Sequence, residues 1–322
     1  MSQADPVAPG PILVVGGRGF VGAAVVRHLV AGGRSVHVFG PDSPVALPEG
    51  ATQTLGSIED RHAVAAVIRA VRPAEVINLA AFSAGPVGLS RSGEADPERM
   101  LAVNVLGWRH LLDAVVEAGI GRLFYMSSTV VLGRDRASGK RLDERAARRP
   151  VIAYGMSKVL AEDLADYYRE RHGLETVGLR LPLVVGPGLW YDGAAAAFKR
   201  LVDAAVSGGK EPVRASSVAF DAMHVADVGE LIEALLGRPA GSLAPIYHVA
   251  GFTTSYRDVI RVLGELVPGF APEWVEEAPA IVYPLVSQSR LERDCGWRAR
   301  RDLYATLADA LAQARHSRTS PP

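Results

Sequence analysis

The sequence predicts an α/β protein with a Rossmann-type, doubly wound parallel sheet and a smaller, discontinuous C-terminal substrate lobe. Three observations carry this prediction: strand-like apolar runs alternate with helical stretches, a glycine-rich turn follows the first strand, and the alternation breaks after about residue 186. Alternating strands and helices form a parallel sheet that is covered on both faces, with ligands at the carboxyl ends of the strands.

The elements follow one another regularly in the first half of the chain. Strand-type runs are, in order, PILVVGG, SVHVFG, TQTLGS, EVINLAA, RLFYMSS and TVGLRLPLVV. Helical apolar spacing covers AAVVRHLVAGG and residues 59–71, 97–118 and 154–172. Further on, Pro and Gly interrupt GPGLWYDGAAAAFKRLVDAAVSGG, EPVRASSVAF and 268–290. We therefore expect residues 187–322 to form mainly the substrate lobe, with segments that return to the main domain.

The glycine-rich turn is the first motif with a chemical meaning. In VVGGRGFVG, three glycines are spaced G-x-x-G-x-x-G directly after a strand and directly before a helix: Gly16, Gly19 and Gly22. This arrangement lets the backbone approach a pyrophosphate placed on the helix N-terminus. Residues 1–186 are therefore predicted to be mainly a dinucleotide-binding domain.

The second strand ends without the acid that usually binds the adenosine ribose about 20 residues after the turn. Gly40 occupies that place, and the nearest acid, Asp42, lies beyond Pro41. Arg18 lies inside the glycine turn, where it could bind a 2′-phosphate or simply be solvated. On this basis the cofactor is predicted to be NAD(P)(H), with NADP(H) slightly favoured.

A tyrosine and a lysine stand four residues apart in AYGMSK, in a chain with only four lysines beside 31 arginines. Residues at this spacing share a helix face, so the Lys158 ammonium can lie near the Tyr154 phenol and favour its phenolate. We expect the pKa of Tyr154 to be lowered from about 10, which would make it an acid or base near neutrality. Ser128, which ends the fifth strand, is either a turn hydroxyl or a hydrogen-bond donor to the substrate oxygen.

Taken in order along the chain, these motifs resemble those of the extended short-chain dehydrogenases/reductases, in the epimerase/dehydratase superfamily. The resemblance covers nearly the whole length and includes GGRGFVG, VINLAA, NVLGWRHLLDA, MSSTVVLG, AYGMSK, LRLPLVVGPG, FDAMHVADV and CGWRAR. It implies a catalytic trio of Ser128, Tyr154 and Lys158, with Asn104 in a supporting position. It also implies a homodimer formed through helices 97–118 and 154–172, although internal burial of their apolar faces is an alternative.

The same resemblance places the cofactor against three parts of the Rossmann domain. These are the glycine turn, the ends of neighbouring strands and the catalytic helix, with Gly16, Arg18, Gly19, Phe20, Val21, Gly22, Ser57, Leu79, Ala80, Ala81, Tyr154, Lys158 and Pro182 as the implied contacts. Ser57 stands where many relatives have an aspartate near adenine, so the adenine contact departs from the family pattern.

Two positions bear on whether the substrate is a nucleotide-sugar. Sugar-nucleotide epimerases of this family usually hold the diphosphate with two arginines, and the matching places here are Phe220 and Glu277, although Arg214 or Arg290 could compensate. The leading hypothesis is an NAD(P)-dependent oxidoreductase that interconverts a secondary alcohol and a ketone. The alternatives are a nucleotide-sugar epimerase with tightly bound NAD and a catalytically silent nucleotide-binding regulator. The intact trio counts against the silent regulator.

Composition excludes several other classes. The formal net charge of zero gives no electrostatic case for binding nucleic acid or an anionic membrane. The single cysteine, Cys295, excludes an internal disulfide framework and fits a reducing cytoplasm. MSQADPVAPGP lacks the features of a signal peptide, and no apolar run reaches the ~18 residues of a membrane span. We expect a cytoplasmic enzyme that acts on a small-molecule substrate.

Other polar and aromatic residues have less specific interpretations. No cluster of His, Asp or Glu has metal-ligand spacing, so no metal is predicted. His224 is expected to be a structural histidine at a helix start. Four aromatic residues could either line the substrate lobe or pack in a core: Trp190, Tyr191, Phe198 and Phe220.

Overall fold

The structure is a computed structural model that describes residues 10–133, 140–209, 211–279 and 283–319. The first nine residues, which the sequence analysis judged unlike a signal peptide, lie outside these ranges. Across the described residues the main sheet has seven parallel strands in the order β10-β6-β5-β4-β1-β2-β3. They are β1 Ile12–Val15, β2 Val36–Gly40, β3 Thr52–Leu55, β4 Glu75–Asn78, β5 Arg122–Ser128, β6 Glu175–Leu181 and β10 Ile246–His248.

Helices connect and flank these strands. Their bounds are α1 Phe20–Ala31, α2 Arg61–Val71, α3 Leu89–Ala95, α4 Pro97–Leu101, α5 Trp108–Glu117, α6 Ala153–His172, α7 Ala196–Ser207, α8 Val225–Leu236, α9 Tyr256–Leu266, α10 Ser289–Cys295 and α11 Leu303–Thr319. The strands up to β6 follow the order that the sequence predicts, but α3 was not predicted. The predicted strand TVGLRLPLVV is divided at Pro182 into β6 of the main sheet and a short strand, Leu183–Val185, of another sheet. The predicted fold class, a Rossmann-like α/β fold, is confirmed.

Both faces of the main sheet are buried because alternate residues of each strand point to opposite sides. On one side, Ile12 and Val14 of β1 pack in a core with residues of α1 and α8. On the other side, Leu13 and Val15 pack with residues of α2, α5 and α6. A continuous apolar strand such as ILVV therefore has a place in the middle of the sheet, where both of its faces are covered.

Short strands from the second half of the chain form two further sheets. A three-stranded sheet contains β7 Leu183–Val185, β9 Phe220–His224 and β11 Phe252–Thr254, and a parallel pair joins β8 Val213–Ala215 to β12 Trp274–Glu276. A separate apolar core includes residues of α7, α9 and α11. Strand β10 also comes from the second half but pairs with β6 in the main sheet. The division of the chain at residue 186 stays a proposal.

The predicted helix over 97–118 is interrupted by one π-helical turn. Residues Ala102–Gly107 form this turn between α4 and α5. Gly107 lies against Ile58, and a Cβ on this glycine would lie 2.7 Å from Ile58 Cγ2. Asn104 lies inside the turn, and π-helical turns of this kind are frequent at functional sites. Helical periodicity in the sequence does not reveal such an insertion.

The described part of the chain has no helix that is both long enough and apolar enough to cross a membrane. In the same residues no three His, Cys, Asp or Glu side chains come together as a set that could hold a metal ion.

Candidate active site

The turn between β1 and α1 has the shape that a pyrophosphate site needs. Gly16 has φ +78°, and a Cβ there would lie 2.8 Å from Ala80 N, while one on Gly22 would collide with Gly16 O. Gly19 is the N-cap residue of α1, with no side-chain cap and no acid in the first turn. The helix N-terminus can therefore bind an anion through its free N–H groups. Phe20, Val21 and the glycines thus fit the diphosphate of a dinucleotide.

Arg18 is held by the loop that follows β2, which neither sequence interpretation anticipated. Its guanidinium donates to Val45 O at 2.7 Å, to Asp42 Oδ1 at 2.9 Å, to Gln53 Oε1 at 3.2 Å and to Ser43 O. Its side chain is only 16% exposed, so Arg18 is not simply solvated. The carboxylate of Asp42 lies beyond the strand end and binds Arg18.

Ser57 belongs to the loop after β3, which also adjoins the nucleotide side of the sheet. Its hydroxyl donates to Glu59 Oε2 at 3.1 Å. Arg18 and Ser57 are the two polar side chains expected near the adenosine, and each of them is hydrogen-bonded within the protein.

The catalytic trio and part of the cofactor set line one cavity of about 150 Å³. The sequence-predicted residues in its wall are Val21, Leu79, Ala81, Ser128, Tyr154, Lys158 and Pro182. They come from α1, the end of β4, the end of β5, α6 and the end of β6, so the carboxyl edge of the sheet gathers them. Ala80 lies behind this wall, where it packs against Gly16.

Lys158 is the buried member of the trio in the cavity wall. Its Nζ donates to Met126 O at 2.8 Å and lies 5.6 Å from the centre of the Tyr154 ring. Burial lowers the pKa of Lys158 to about 8, and the charge of Glu162 opposes this shift. An ammonium in this place is protonated at pH 7 but loses its proton only slightly above it.

The pKa of Tyr154 differs from the sequence expectation. Burial raises this pKa, and the phenols of Tyr191 and Tyr283 raise it further. Desolvation outweighs any attraction from Lys158, whose Nζ hydrogen-bonds a backbone carbonyl. The phenol is therefore neutral at pH 7 and is suited to donate a proton.

Ser128 is a turn hydroxyl, and its position also allows the substrate contact that the sequence left open. Its Oγ accepts a hydrogen bond from Val130 N at 3.4 Å and so caps the short 3₁₀ turn Thr129–Leu132. The same side chain is part of the cavity wall beside Tyr154. The hydroxyl hydrogen remains free to turn toward a substrate oxygen.

A buried ionic network fixes the helix that carries Lys158. One turn further along α6, the carboxylate of Glu162 accepts from Ser127 Oγ at 2.5 Å and from Arg180 Nε at 2.8 Å and Nη2 at 2.7 Å. Arg148 Nη1 adds a contact of 3.3 Å. These bonds join α6 to β5 and β6, which sets the position of Lys158 against Met126.

Asn104 supports the site from behind and is not part of the cavity wall. Its Oδ1 accepts from Phe82 N at 2.8 Å, and its Nδ2 donates to Ser157 Oγ at 3.0 Å. The π-helical turn is thereby linked to α6 next to Lys158 and to the segment after β4. This geometry fits the supporting position that the sequence resemblance implies.

The four aromatic residues with open interpretations lie in three different places. Tyr191 lines the cavity and makes an edge contact with Phe20, with ring centres 6.0 Å apart. Phe198 and Phe220 are buried in the core of the short-strand region. Trp190 is 43% exposed and lines a wider groove of about 620 Å³ beside α7 and α11. That groove contains none of the catalytic trio, so the smaller cavity is the candidate active site.

Tyr283 was not predicted from the sequence, whereas His224 lies at a helix start, as predicted. Tyr283 lines the catalytic cavity from an irregular segment in which no motif distinguishes it. His224 Nδ1 accepts from Ala226 N at 3.0 Å and caps α8. A cap formed by a buried histidine is a structural role.

A glycine turn, a parallel sheet and a Ser-Tyr-Lys cavity define the class of Rossmann-fold, nicotinamide-dependent enzymes. The sequence profile of the NAD dependent epimerase/dehydratase family matches residues 12–250, and the chain belongs to this family. The resemblance drawn from the sequence motifs is confirmed. Enzymes related to this chain are NAD-dependent and include both epimerases and dehydrogenases.

Among curated proteins, the chain is similar to the UDP-glucose 4-epimerase of Streptomyces lividans. The two are 29% identical over 322 residues, which cover 94% of this chain and 95% of that one. It is also similar to the mitochondrial L-threonine 3-dehydrogenase of Bos taurus, with 27% identity over 69% of this chain and 61% of the relative.

Among solved structures, the UDP-glucose 4-epimerase of Thermus thermophilus in complex with NAD superimposes with a TM-score of 0.82. It is 27% identical and covers 95% of this chain and 99% of its own. The structure of MoeE5 with UDP-glucuronic acid and NAD gives a TM-score of 0.79 at 26% identity, over 96% of this chain and 100% of that one. A GalE-like L-threonine dehydrogenase from Cupriavidus necator has the same fold, with a TM-score of 0.83 at 23% identity over 94% of this chain and 99% of that one.

Proposed function

We propose that this enzyme is an NAD(P)-dependent oxidoreductase that interconverts a secondary alcohol and a ketone. The observation that carries the proposal is the single cavity that Tyr154, Ser128 and Lys158 share with Val21 and Pro182, on the side of the glycine turn. A substrate oxygen at the phenol would lie beside the place where the resemblance puts the nicotinamide.

When bound, the nicotinamide supplies or accepts a hydride at the substrate carbon. Tyr154, kept neutral by burial, donates its phenolic proton to the substrate oxygen during reduction and takes it back during oxidation. The Ser128 hydroxyl binds the same oxygen and orients it. Lys158 gives one of its three N–H bonds to Met126 O, which leaves two for the phenol and a cofactor ribose.

The proposal is tested by identifying any cofactor that co-purifies with the protein and then following reduced-nicotinamide absorbance with a panel of ketones and secondary alcohols. Turnover that requires NAD(H) or NADP(H) is the expected result. Absence of any such turnover, together with nucleotide-sugar epimerisation, would replace this proposal with the second candidate.

The second candidate is a nucleotide-sugar epimerase that oxidises and then reduces one carbon with tightly bound NAD. The similarity to UDP-glucose 4-epimerases over nearly the whole chain favours it. The same trio would move the proton in both half-reactions, and the two candidates differ in how the substrate is held.

We predict that nucleotide-sugars bind weakly. The Phe220 ring is buried against Tyr256, with ring centres 5.1 Å apart, where epimerases are expected to have an arginine. Arg214 pairs with Glu277 at 3.5 Å, and Arg290 pairs with Glu144. Each charge-assisted hydrogen bond missing from the diphosphate forfeits roughly 1.5 to 3 kcal/mol.

Equilibrium binding to UDP-, GDP- and dTDP-sugars measures this directly. Micromolar affinity for one of them, with epimerisation seen by NMR, would contradict the prediction and favour the epimerase.

We predict that NADP(H) binds at least as well as NAD(H), because Gly40 carries no carboxylate to repel a 2′-phosphate. The preference should be slight, since four protein acceptors hold Arg18.

Asp42→Asn removes the anionic member of these four acceptors and should tighten NADP(H) binding relative to NAD(H) by a few fold. The control is Glu265→Gln, which breaks an exposed ion pair on α9. Calorimetry that gives wild type a tenfold lower Kd for NAD(H) would refute the preference.

We also expect a homodimer, as the family resemblance implies. On α6, three exposed apolar side chains lie on one side of the helix: Met156, Leu160 and Tyr167. Leu106, in the π-helical turn, is exposed too. Leu160→Arg should give a monomer in sedimentation analysis. Leu55→Arg, on β3, should leave the mass unchanged. A wild-type protein that sediments as a monomer at micromolar concentration would rule out the dimer.

A further inference from the structure

The catalytic cavity is lined mainly by apolar side chains, and its polar side chains outside the trio are neutral hydroxyls, among them those of Ser90 and Ser127. Besides the catalytic trio and the cofactor-side residues, its wall includes Leu89, Val130, Leu183, Ala194 and Ala195, with two phenols from Tyr191 and Tyr283. Among the described lining residues, Lys158 carries the single formal charge. Its ammonium is buried and bound to Met126 O.

Two arginines of the surrounding segments are bound by carboxylates, and Arg91, beside the lining residues Leu89 and Ser90, is exposed and is not part of the wall. Arg141 pairs with Asp221 at 2.9 Å, and Arg290 lies 3.5 Å from Glu144. A substrate carboxylate or phosphate in the cavity would lose its hydration. The Lys158 ammonium has no hydrogen bond left for it, because its three N–H bonds go to Met126 O and, as proposed above, to the phenol and a cofactor ribose. Such burial is strongly unfavourable. The wall therefore selects against charged substrates.

Tyr283 separates this cavity from a second one. The second cavity has a volume of about 40 Å³, and its wall includes Ser216, Phe220, Tyr256 and Pro279. Both cavities share Leu183 and Tyr283 in their walls. Leu183 is part of β7, within a sheet, so the tyrosine is the side chain whose removal would join the two spaces.

We propose, on the basis of the oxidoreductase function above, that the substrate is a compact neutral ketone or secondary alcohol and that Tyr283 determines the largest substituent it can carry. The catalytic cavity, at about 150 Å³, is smaller than the ~300–1,000 Å³ typical of pockets for drug-sized ligands. Part of it belongs to the cofactor, because Val21, Leu79 and Pro182 line the same space. A substituent that is too long must reach past Tyr283 toward Tyr256.

The charge selection is tested by binding rather than turnover, so that it can fail independently of the proposed function. Calorimetry on the enzyme saturated with oxidised cofactor, with which a ketone cannot react, compares butanone with pyruvate, which is similar in size but anionic. Butanone should bind at least about tenfold more tightly, because the anion lacks a partner. Pyruvate binding as tightly as butanone, or no detectable butanone binding, overturns the proposal. Turnover of pyruvate in preference to neutral ketones would also overturn it while leaving the oxidoreductase function standing.

The size limit is tested with methyl ketones whose second chain lengthens from ethyl to heptyl. Wild-type affinity should fall sharply along the series, and Tyr283→Ala should move that fall to longer chains by joining the cavities. Tyr256→Ala is the matched control. Tyr256 lines the second cavity but not the catalytic one, so its removal leaves Tyr283 in place between the two cavities. Tyr283→Leu gives the same comparison if the alanine variant does not fold. An unmoved limit in a folded Tyr283 variant, or an equal shift in Tyr256→Ala, overturns the role of Tyr283.

Discussion

Tyr154→Phe should lower turnover by at least ~10²-fold while leaving the protein folded, because general acid-base catalysis typically contributes 10²–10⁴. The phenylalanine ring preserves the packing against the cavity, and only the proton path is removed. The measurement is the steady-state rate of reduced-nicotinamide oxidation with an active ketone, together with thermal unfolding of both proteins.

Tyr167→Phe is the control for this variant. Tyr167 is on the same helix but is 55% exposed and outside the cavity wall. It should retain wild-type turnover. Nearly wild-type turnover in Tyr154→Phe would contradict the mechanism proposed for the phenol.

Lys158→Met should abolish tight cofactor binding and most activity and yet stabilise the protein at pH 7. Burial holds the pKa of Lys158 at about 8, below its ordinary 10.5, so the unfolded state binds more protons between these values. Wild-type stability should therefore rise with pH across this window. Keeping the ammonium buried at neutral pH costs on the order of 3 kcal/mol, which the methionine avoids.

Urea unfolding at several pH values tests the sign of this effect. The difference in the free energy of unfolding between variant and wild type should be largest near pH 7. It should vanish above pH 10.5, where Lys158 is neutral in both the folded and the unfolded wild-type protein. Lys199→Met, at a partly exposed i,i+4 ion pair with Asp203, should change stability by no more than about 0.5 kcal/mol. Unchanged cofactor affinity in Lys158→Met, measured by calorimetry, would show that the lysine does not contact the cofactor.

The behaviour of these two residues explains where sequence reasoning succeeds. Tyr154 and Lys158 share a helix face because their spacing is local, and that relation survives in any helix. The glycine turn is equally local, since Gly16 and Gly22 adopt their conformation within one strand-turn-helix unit. The parallel sheet follows because continuous apolar strands such as ILVV must be covered on both faces. From the sequence we could therefore predict the fold, which is confirmed, and propose a Ser-Tyr-Lys trio whose side chains the structure brings to one cavity.

The tertiary structure alone decided the electrostatics and the far wall of the site. Burial raises the pKa of Tyr154, and the phenols of Tyr191 and Tyr283, which are distant in sequence, raise it further. Arg18 faces Asp42 because the loop after β2 folds back over the turn. Neither effect has a local pattern, since burial and partner choice depend on which remote segments pack together. What the chain can bind beside its cofactor is a property of that packing, and Tyr283 lies in a segment without periodicity that only the folded chain brings to the phenol.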